Sequence, residues 1–452
     1  MELVISGHKS VAELGVIGRA EHMHLIMDAE RDGTLSYLDA VTKTTGGRRG
    51  RASIPTPTGG LIYAHTRHAT SRAGDPCPHD HVLLANVVEM LDDKGGWKAA
   101  NTSLWREHLH AATMAGRVAA ACMAIELGYG IESDPGPSGR LGQWRIAGIP
   151  DEVLELHSKR SAEINAAVGA RGDTSYQARC VAARTTRAAK EHHADGELLA
   201  KWRAELAAAG WPVERLAASV EAAAGRRIAP RPDRKEARRI LAEVLCAEGD
   251  LARRKVFSAR HLVVALSPYL YGWEPPVLGW MVRRALADPA VVPLVGVTGA
   301  IEPTYSLASV LAVEGAIADS LEHHQTRTDA PRCPAENTFS VVEAAGAVVG
   351  GLSDEQRCAA EAICTSGRGA EIIIGVAGAG KTTLLGAVTA AFEASGYEVI
   401  GAATAGQAAR GLAAGAGLAQ ASTLARLNGQ LAHGTLKLGE RSVVILDEAG
   451  MT

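Results

Sequence analysis

The segment Gly375–Thr382, which reads GVAGAGKT, constrains the fold of this chain more than any other feature. It fits the pattern G-x-x-x-x-G-K-[ST], follows the strand-like run Glu371–Ile374 and precedes the helix-like run Thr383–Ser395. In that context the glycines let backbone N–H groups wrap phosphates at the start of a helix. The pattern therefore predicts an ATP site built on a parallel α/β sheet.

A second motif strengthens this prediction, because the apolar run Val443–Leu446 leads into Asp447 and Glu448. Asp447 is expected to complete the Mg²⁺ shell, and Glu448 is the predicted catalytic carboxylate that orients the attacking water. The other predicted ATP and Mg²⁺ ligands come from the glycine-rich segment and are Gly375, Gly378, Gly380, Lys381, Thr382 and Thr383.

Composition excludes several classes of protein. With 452 residues, 47% hydrophobic and 21% charged, the chain is long enough for two to four globular domains. The net charge of -3 provides no general attraction for nucleic acid, so DNA contacts must rest on local basic patches. Seven scattered cysteines without a Cys-x-x-Cys argue against a disulfide framework or a zinc ribbon. No signal peptide or membrane span is visible, so we expect a cytoplasmic protein without membrane insertion.

Three histidines form the other chemical pattern: His68, His79 and His81. Leu61–His68 and the run around His79 and His81 are strand-like, and a turn-forming SRAGDPCP segment separates them. Side chains alternate along a strand, so His79 and His81 project from one face and can meet His68. This predicts a metal site with open positions for water or a phosphate oxygen. His22 and His24 have the same spacing, but they lie in a helical pattern and are predicted to form no site.

The run HATSRAGDPCPHDHVLLAN resembles the three-histidine motif of TrwC/MobF-type conjugative relaxases, which are HUH single-strand endonucleases. Ile5–Val11 and Trp97–Ala99 resemble further blocks of that family, and the resemblance covers about residues 1–220. It implies an α+β domain with an antiparallel sheet. It also implies nicking of single-stranded DNA at a transfer origin, by a tyrosine that attacks a metal-bound phosphate.

Several residues depart from the family pattern. Asp80 stands between the two close histidines and should point to the opposite face, and Cys77 is expected to be a thiol without a ligand role. The nucleophilic tyrosines of the family lie upstream of Ile5–Val11. Glu2 falls where the family has an assisting aspartate, and it is the second candidate catalytic residue. Tyr63 is expected to pack and not to replace the nucleophile.

The C-terminal part resembles the superfamily one, RecD-like helicase that is fused to relaxases of this kind. Leu352–Gln356 resembles the Q motif, which makes Gln356 a candidate adenine-binding residue. Ala403–Ala409 and Ser422–Leu424 resemble DNA-facing motor segments. The later motor motifs, including an arginine of the ATP site, would lie beyond residue 452.

Taken with basic or Pro-rich linkers at Gly225–Arg239 and Thr326–Asn337, these resemblances predict three domains. They are a relaxase domain at 1–222 without its tyrosine segment, a linker and mostly helical helicase N-terminal domain at 223–337, and a partial P-loop motor domain at 338–452. Both chain ends read as cuts through a domain, because the apolar runs Leu3–Ile5 and Val443–Leu446 lie so near them.

The predicted cofactors are Mg²⁺ or Mn²⁺ at the histidines, with Zn²⁺ favoured by imidazole chemistry, and ATP with Mg²⁺ at the glycine-rich segment. The predicted partners are single-stranded origin DNA, a type IV secretion coupling protein and accessory relaxosome proteins. Phosphate contacts or a plain solvated surface could explain six basic residues: Arg48, Arg49, Arg51, Arg184, Arg187 and Lys190.

Two function classes follow from the sequence. The chain is either a piece of a bifunctional relaxase-helicase, or a truncated relic that binds metal, DNA or nucleotide without catalysis. A replication initiator of the HUH type is the remaining alternative, and the downstream helicase-like segment argues against it.

Overall fold

The computed structural model describes residues 1–49, 52–91, 95–134, 142–169, 175–186, 195–225, 231–295, 302–348, 351–376 and 378–448. These residues divide into two compact units, Met1–Leu311 and Ala312–Thr452. Among the described residues, no helix is long and apolar enough to cross a membrane.

The first unit mixes short strands with helices. Its strands are β1 Glu2–Ile5, β2 Lys43–Arg49, β3 Ala52–Pro57, β4 Tyr63–Thr70, β5 Pro76–Leu84, β6 Val88–Glu89, β7 Trp97–Lys98, β8 Ile131–Asp134, β9 Gln143–Ile146, β10 Val291–Leu294 and β11 Thr304–Leu307. Its helices are α1 Lys9–Val16, α2 Ala20–Val41, α3 Thr102–Glu126, α4 Asp151–Leu156, α5 Lys159–Gly169, α6 Tyr176–Thr185, α7 Asp195–Ala208, α8 Val213–Ala222, α9 Arg234–Val244, α10 Ala259–Leu266 and α11 Pro276–Leu286.

The antiparallel sheet β1-β5-β4 is the element that positions the histidines. Along β5 the side chains alternate strictly between buried and partly exposed, from Pro76 to Leu84. The buried set, which includes Val82 and Leu84, packs in one core cluster with Leu38 of α2 and Trp105 of α3. The predicted antiparallel α+β fold is thus confirmed. The core cluster covers one face of the sheet, and the partly exposed side chains of β5 lie on the other face.

Helices α2 and α3 pack against the buried face of that sheet and approach each other closely. A Cβ built on Gly116 would lie 2.2 Å from Thr34 Oγ1, so only glycine allows this spacing. Asn101 is the N-cap of α3, since its side chain accepts a hydrogen bond from the Ser103 N–H.

The helices after residue 233 pack against α3 within the same unit. Ala111 and Val118 of α3 share a core cluster with Ile240 of α9 and Leu262 of α10. The Asp233 side chain caps α9 by accepting from the Glu236 N–H at 2.8 Å. The basic stretch predicted as a linker therefore ends inside an ordered helix.

The second unit is an α/β arrangement. Most of helix α12, Ala308–Thr326, belongs to this unit by sequence, and the further helices are α13 Ala335–Val348, α14 Asp354–Thr365, α15 Lys381–Ala394, α16 Gly406–Ala416 and α17 Leu424–Ala432. Its strands β12 Glu398–Ala403, β13 Gln420–Thr423 and β14 Ser442–Asp447 form a parallel sheet in the order β13-β12-β14.

One predicted element of this unit did not form. Glu371–Ile374, expected to be the strand before the glycine-rich loop, pairs with none of the described strands. Ile373 packs against the core of this unit, but without ladder hydrogen bonds the segment leaves Ile372 55% and Ile374 92% exposed.

Candidate metal centre and nucleotide loop

The three predicted histidines meet on the free face of the β1-β5-β4 sheet. His68 lies directly opposite His79 in the β4–β5 ladder, and His81 sits opposite Thr66 on one side and Val4 on the other. The ring centroids are 5.3 Å apart for His68 and His79, 4.9 Å for His68 and His81, and 5.2 Å for His79 and His81. One nitrogen from each ring lies within 4.8 Å of the other two, which is close enough for all three to bind one ion.

Hydrogen bonds on the outer nitrogens orient two of these rings. His79 Nδ1–H donates to the Cys77 carbonyl at 2.8 Å, and His81 Nδ1–H donates to Glu2 Oε1 at 2.6 Å. Each bond places the proton on Nδ1 and leaves the Nε2 lone pair available. This is the arrangement found around histidines that bind metals, where a carbonyl or carboxylate fixes the tautomer.

Cys77 lies in the strand that carries two of the histidines, and not in the preceding turn, because it is the second residue of β5. Its thiol hydrogen bond raises the pKa of His79, and burial only partly offsets this. Burial alone would raise the pKa of the Cys77 thiol, but His79 and the Lys9 ammonium together lower it.

The opposite face of the same strands carries a buried charge network that sequence reasoning missed. Arg67 donates to both Asp80 oxygens at 2.7 Å and to Asp28 Oδ1 of α2 at 2.8 Å. Asp80 is fully buried, and it points away from the histidines as its position in the strand predicts. The in-register pairing of Arg67 with Asp80 fixes the ladder that also aligns His68 with His79. The signal in the sequence was one basic residue, Arg67, and one acidic residue, Asp80, on two neighbouring predicted strands, each on the face away from the histidines.

His22 and His24 both lie in helix α2, as their apolar spacing predicts, and their rings contact different partners. His22 Nδ1 lies 2.7 Å from the Tyr129 hydroxyl, whereas His24 Nδ1 lies 3.0 Å from Arg67 Nη1. Tyr63 was expected to pack, but its side chain is 43% exposed, although it does share the Asp80 face of β4 by register.

The candidate DNA contacts are only partly described. Arg48 and Arg49 belong to the hairpin strand β2, and Arg184 is exposed in the last turn of α6. The side chains of Arg48 and Arg49, and the residues Arg51, Arg187 and Lys190, lie outside the described part of the chain.

In the second unit, the glycine-rich loop leads into α15 at Lys381. Lys381 Nζ donates to the carbonyls of Gly375 at 2.8 Å and Val376 at 3.1 Å. Gly380 has a left-handed backbone with φ of 73°, and a Cβ at this position would lie 2.5 Å from Gln356 Nε2, so only glycine allows this approach. Gln356 Nε2–H donates to the Ala379 carbonyl at 3.0 Å, so this predicted site residue does reach the loop.

The two predicted acids lie at the carboxyl end of a parallel strand. Asp447 ends β14, directly opposite Ala403 of β12, and its Oδ1 accepts from the Glu448 N–H at 2.9 Å. Glu448 has a φ of 55°, and its Oε2 accepts from the Thr404 hydroxyl at 3.3 Å. A residue other than glycine in this conformation at a strand end is a feature typical of functional sites.

Comparisons with known proteins agree with both motifs. The family model described as TrwC relaxase matches residues 1–209, and the one described as AAA domain matches residues 351–452. The multifunctional conjugation protein TraI of Escherichia coli is 30% identical over 298 residues, which cover 64% of this chain. The probable conjugal transfer protein TraA of Sinorhizobium fredii is 45% identical over 111 residues, or 25% of this chain.

The matched segments are small parts of these relatives, 16% of TraI and 10% of TraA. A solved structure of the conjugative relaxase TrwC with OriT DNA, in a metal-bound form, is 24% identical and covers 47% of this chain and 72% of that one, with a TM-score of 0.42. Residues 1–209 thus match the TrwC relaxase family model, and residues 351–452 of the same chain match the AAA domain model.

Proposed function

We propose that this chain is part of a relaxase-helicase of conjugative DNA transfer, which nicks single-stranded origin DNA with a divalent metal ion and uses ATP at the second unit. The observation that carries the proposal is the convergence of His68, His79 and His81 within 4.8 Å on one sheet face. The relaxase family match and the conjugation proteins among the relatives support it.

The residues of the histidine cluster fit a divalent metal. Three imidazoles leave further coordination positions open, and two of the rings already have their Nε2 atoms set as ligands. An ion bound there would draw negative charge from a scissile phosphate. Mg²⁺ or Mn²⁺ is the ion we propose for nicking, and Zn²⁺ is the ion that imidazole would bind more tightly.

Hydrogen bonds and an ion pair within the protein hold the histidine rings and their two strands in position. The Glu2 carboxylate and the Cys77 carbonyl hold two rings, and the Arg67–Asp80 pair on the far face holds the two strands in register. The exposed Arg184 and the β2 arginines Arg48 and Arg49 are proposed to contact DNA phosphates. Tyr63 shares the Asp80 face of the sheet, so we do not assign it as the nucleophile.

At the second unit, we propose that Lys381 exchanges its loop carbonyls for the β- and γ-phosphates of ATP. Thr382 and Asp447 would hold Mg²⁺, Glu448 would orient the attacking water, and Gln356 would read the adenine. The supporting observation is that Gln356 already touches the loop. The proposed domains at 1–222, 223–337 and 338–452 separate these activities.

We also propose that the protein acts in the cytoplasm, with a secretion coupling protein and relaxosome accessory proteins as partners. Conjugation proteins among its relatives motivate this assignment.

Calorimetric titration with Mn²⁺ and with Zn²⁺ tests the metal site. We expect one site in the wild type and none in the His79→Ala/His81→Ala variant. The matched control is His323→Ala/His324→Ala, which removes two adjacent imidazoles from helix α12 and should leave binding unchanged. Unchanged binding in the β5 variant would overturn the metal assignment.

Nucleotide binding is tested separately with a fluorescent ATP analogue. Lys381→Ala should weaken its binding, because the only cation in the loop is lost. The metal titration should be identical in this variant, since Lys381 belongs to the other unit. Equal nucleotide affinity in wild type and Lys381→Ala would contradict the proposed ATP site.

A further inference from the structure

Two buried cysteines of the second unit take no part in either proposed site. Cys333 lies in the segment 327–334, called the strap below, which connects α12 to α13. Cys364 lies in the last turn of α14. Both carry free thiols, and they are only 3% and 0% exposed.

Backbone hydrogen bonds hold the two cysteines side by side. The Cys333 N–H donates to the Cys364 carbonyl at 2.7 Å, and the Ala330 N–H donates to the Gly367 carbonyl at 2.8 Å. The strap therefore caps the end of α14, where the last carbonyls have no partner within the helix. Residues joined by backbone bonds in a strand pair have Cα atoms about 5.5 Å apart, and disulfides span about 4.4–6.8 Å. The backbone thus keeps this pair within reach of a disulfide.

The two thiols differ in acidity because they share one hydrogen bond. The bond from the Cys364 thiol lowers the pKa of Cys333, burial opposes this, and the nearby Ser395 hydroxyl lowers that pKa further. The same bond, together with burial, raises the pKa of Cys364. Cys333 is accordingly the sulfur that loses its proton first, and Cys364 is the protonated partner beside it.

Apolar side chains enclose the pair and limit what can react with it. Val342 of α13 and both Ala391 and Phe392 of α15 belong to the same core cluster as the two cysteines. A bulky disulfide such as oxidised glutathione has little access to a sulfur in a residue that is 3% exposed. Hydrogen peroxide is hardly larger than water, so it is the oxidant that suits this pair.

We propose that Cys333 and Cys364 are a redox-active pair, in which hydrogen peroxide closes a disulfide that clamps the strap to α14. In reducing compartments disulfides are usually transient and serve redox sensing, so a reversible clamp is the form we expect. The proposal does not depend on the metal or the nucleotide assignment. Its failure would leave both of those sites intact.

The reaction runs in two steps. The Cys333 thiolate attacks one oxygen of hydrogen peroxide, the O–O bond breaks, and the hydroxide that leaves takes up the proton released by Cys333 to give water. This produces a sulfenic acid on Cys333. The Cys364 sulfur then attacks the Cys333 sulfur, the S–O bond breaks, and the departing hydroxide takes the Cys364 proton as a second water. The two thiols lose two electrons in total, and the peroxide gains them.

The disulfide would restrain a helix that already touches the glycine-rich loop. Gln356 in the first turn of α14 donates to the Ala379 carbonyl at 3.0 Å, whereas Cys364 lies at the other end of that helix. The disulfide closes a ring of about 30 residues. The chain entropy of such a ring makes openings that separate the two cysteines rarer by up to a few hundredfold.

Peptide mapping of the wild-type full chain tests the bond directly. The protein is treated with hydrogen peroxide without added metal, unfolded in urea with iodoacetamide, and digested with trypsin without reduction. Trypsin leaves Cys333 in peptide 333–357 and places Cys358 and Cys364 together in peptide 358–368. We expect these two peptides to be linked, with fragment ions that locate the bond at Cys364 and the alkyl group at Cys358. Dithiothreitol should separate them.

Matched variants of the same helix distinguish the pair from general oxidation. Cys358 is exposed, six residues before Cys364, so Cys358→Ala should leave the linked peptides unchanged, whereas Cys364→Ala should abolish them. Hydrogen exchange of strap peptides then measures the clamp. Peroxide should slow exchange of the Ala330 and Cys333 amides by up to a few hundredfold in wild type, and it should have no effect in Cys364→Ala.

Two results would overturn the proposal. The first is oxidation of the exposed Cys358 while Cys333 and Cys364 both remain open to alkylation, which would make the pair an inert part of the core. The second is linked peptides without slower exchange in the strap, which would mean that the bond clamps nothing. Both results come from the wild-type protein, so they stand even where Cys364→Ala fails to fold.

Discussion

Glu30 of α2 provides the sharpest test of the electrostatics beneath the histidine sheet. Its carboxyl is only 5% exposed, and burial raises its pKa from 4.5 to about 7, with Arg117 opposing the shift and Asp80 adding to it. Between those two pH values the folded state holds a proton that the unfolded state releases. Stability from this group is therefore fully present below pH 4.5 and is lost as the pH rises to about 7.

The size of the effect follows from the shift. Each pKa unit corresponds to about 1.4 kcal/mol, so ionising Glu30 in the folded state costs about 3 kcal/mol in total. Glu30→Gln removes the titration and leaves a neutral side chain of similar shape. Relative to wild type, the variant should gain about 3 kcal/mol in free energy of unfolding between pH 4.5 and pH 8.

Urea unfolding followed by tryptophan fluorescence is the suitable assay. All seven tryptophans lie between residues 97 and 280, so the signal reports the first unit alone. Glu21→Gln removes one exposed carboxylate from the same helix and serves as the control. Parallel stability curves for wild type and Glu30→Gln from pH 4.5 to 8 would refute the reasoning.

Three further predictions concern the sites themselves. Asp80→Asn should lower the free energy of unfolding by about 1–3 kcal/mol in the same tryptophan assay, because Arg67 loses its buried ionic partner and keeps only Asp28; an unchanged free energy of unfolding contradicts this. Glu2→Ala should weaken Mn²⁺ binding about 10- to 100-fold in calorimetry by freeing the His81 ring, and Glu2→Gln should restore part of it; equal affinities of both variants and wild type speak against an orienting role. Gln356→Ala should weaken binding of a fluorescent ATP analogue about two- to tenfold through loss of its hydrogen bond to the loop, and no change contradicts a role for Gln356 at that loop.

The sequence was sufficient to predict the local elements that carry chemistry. Alternation along a strand placed His79 and His81 on one face and Asp80 on the other, and the structure has the same arrangement. The helix around His22 and His24 followed from its apolar spacing, and β14 followed from its apolar run before Asp447. These features depend on neighbours within a few residues, which is why sequence pattern determines them.

Contacts between distant segments could not be predicted in this way. Sequence spacing does not determine the strand register that puts His68 opposite His79. It also does not determine the packing that brings Glu2 to His81 and Asp28 to Arg67. The same limit explains why Glu371–Ile374 is not a strand: its β-forming residues need a partner to supply main-chain hydrogen bonds, and the described sheet does not supply one.

Residue types and spacing thus predicted the histidine cluster and the glycine-rich loop of this chain. Tertiary structure alone decided the tautomers of two histidines, the raised pKa of Glu30 and the contact between Cys333 and Cys364. Each of these depends on burial and on charges from segments far apart in the chain, and those are set only when the helices and strands pack together.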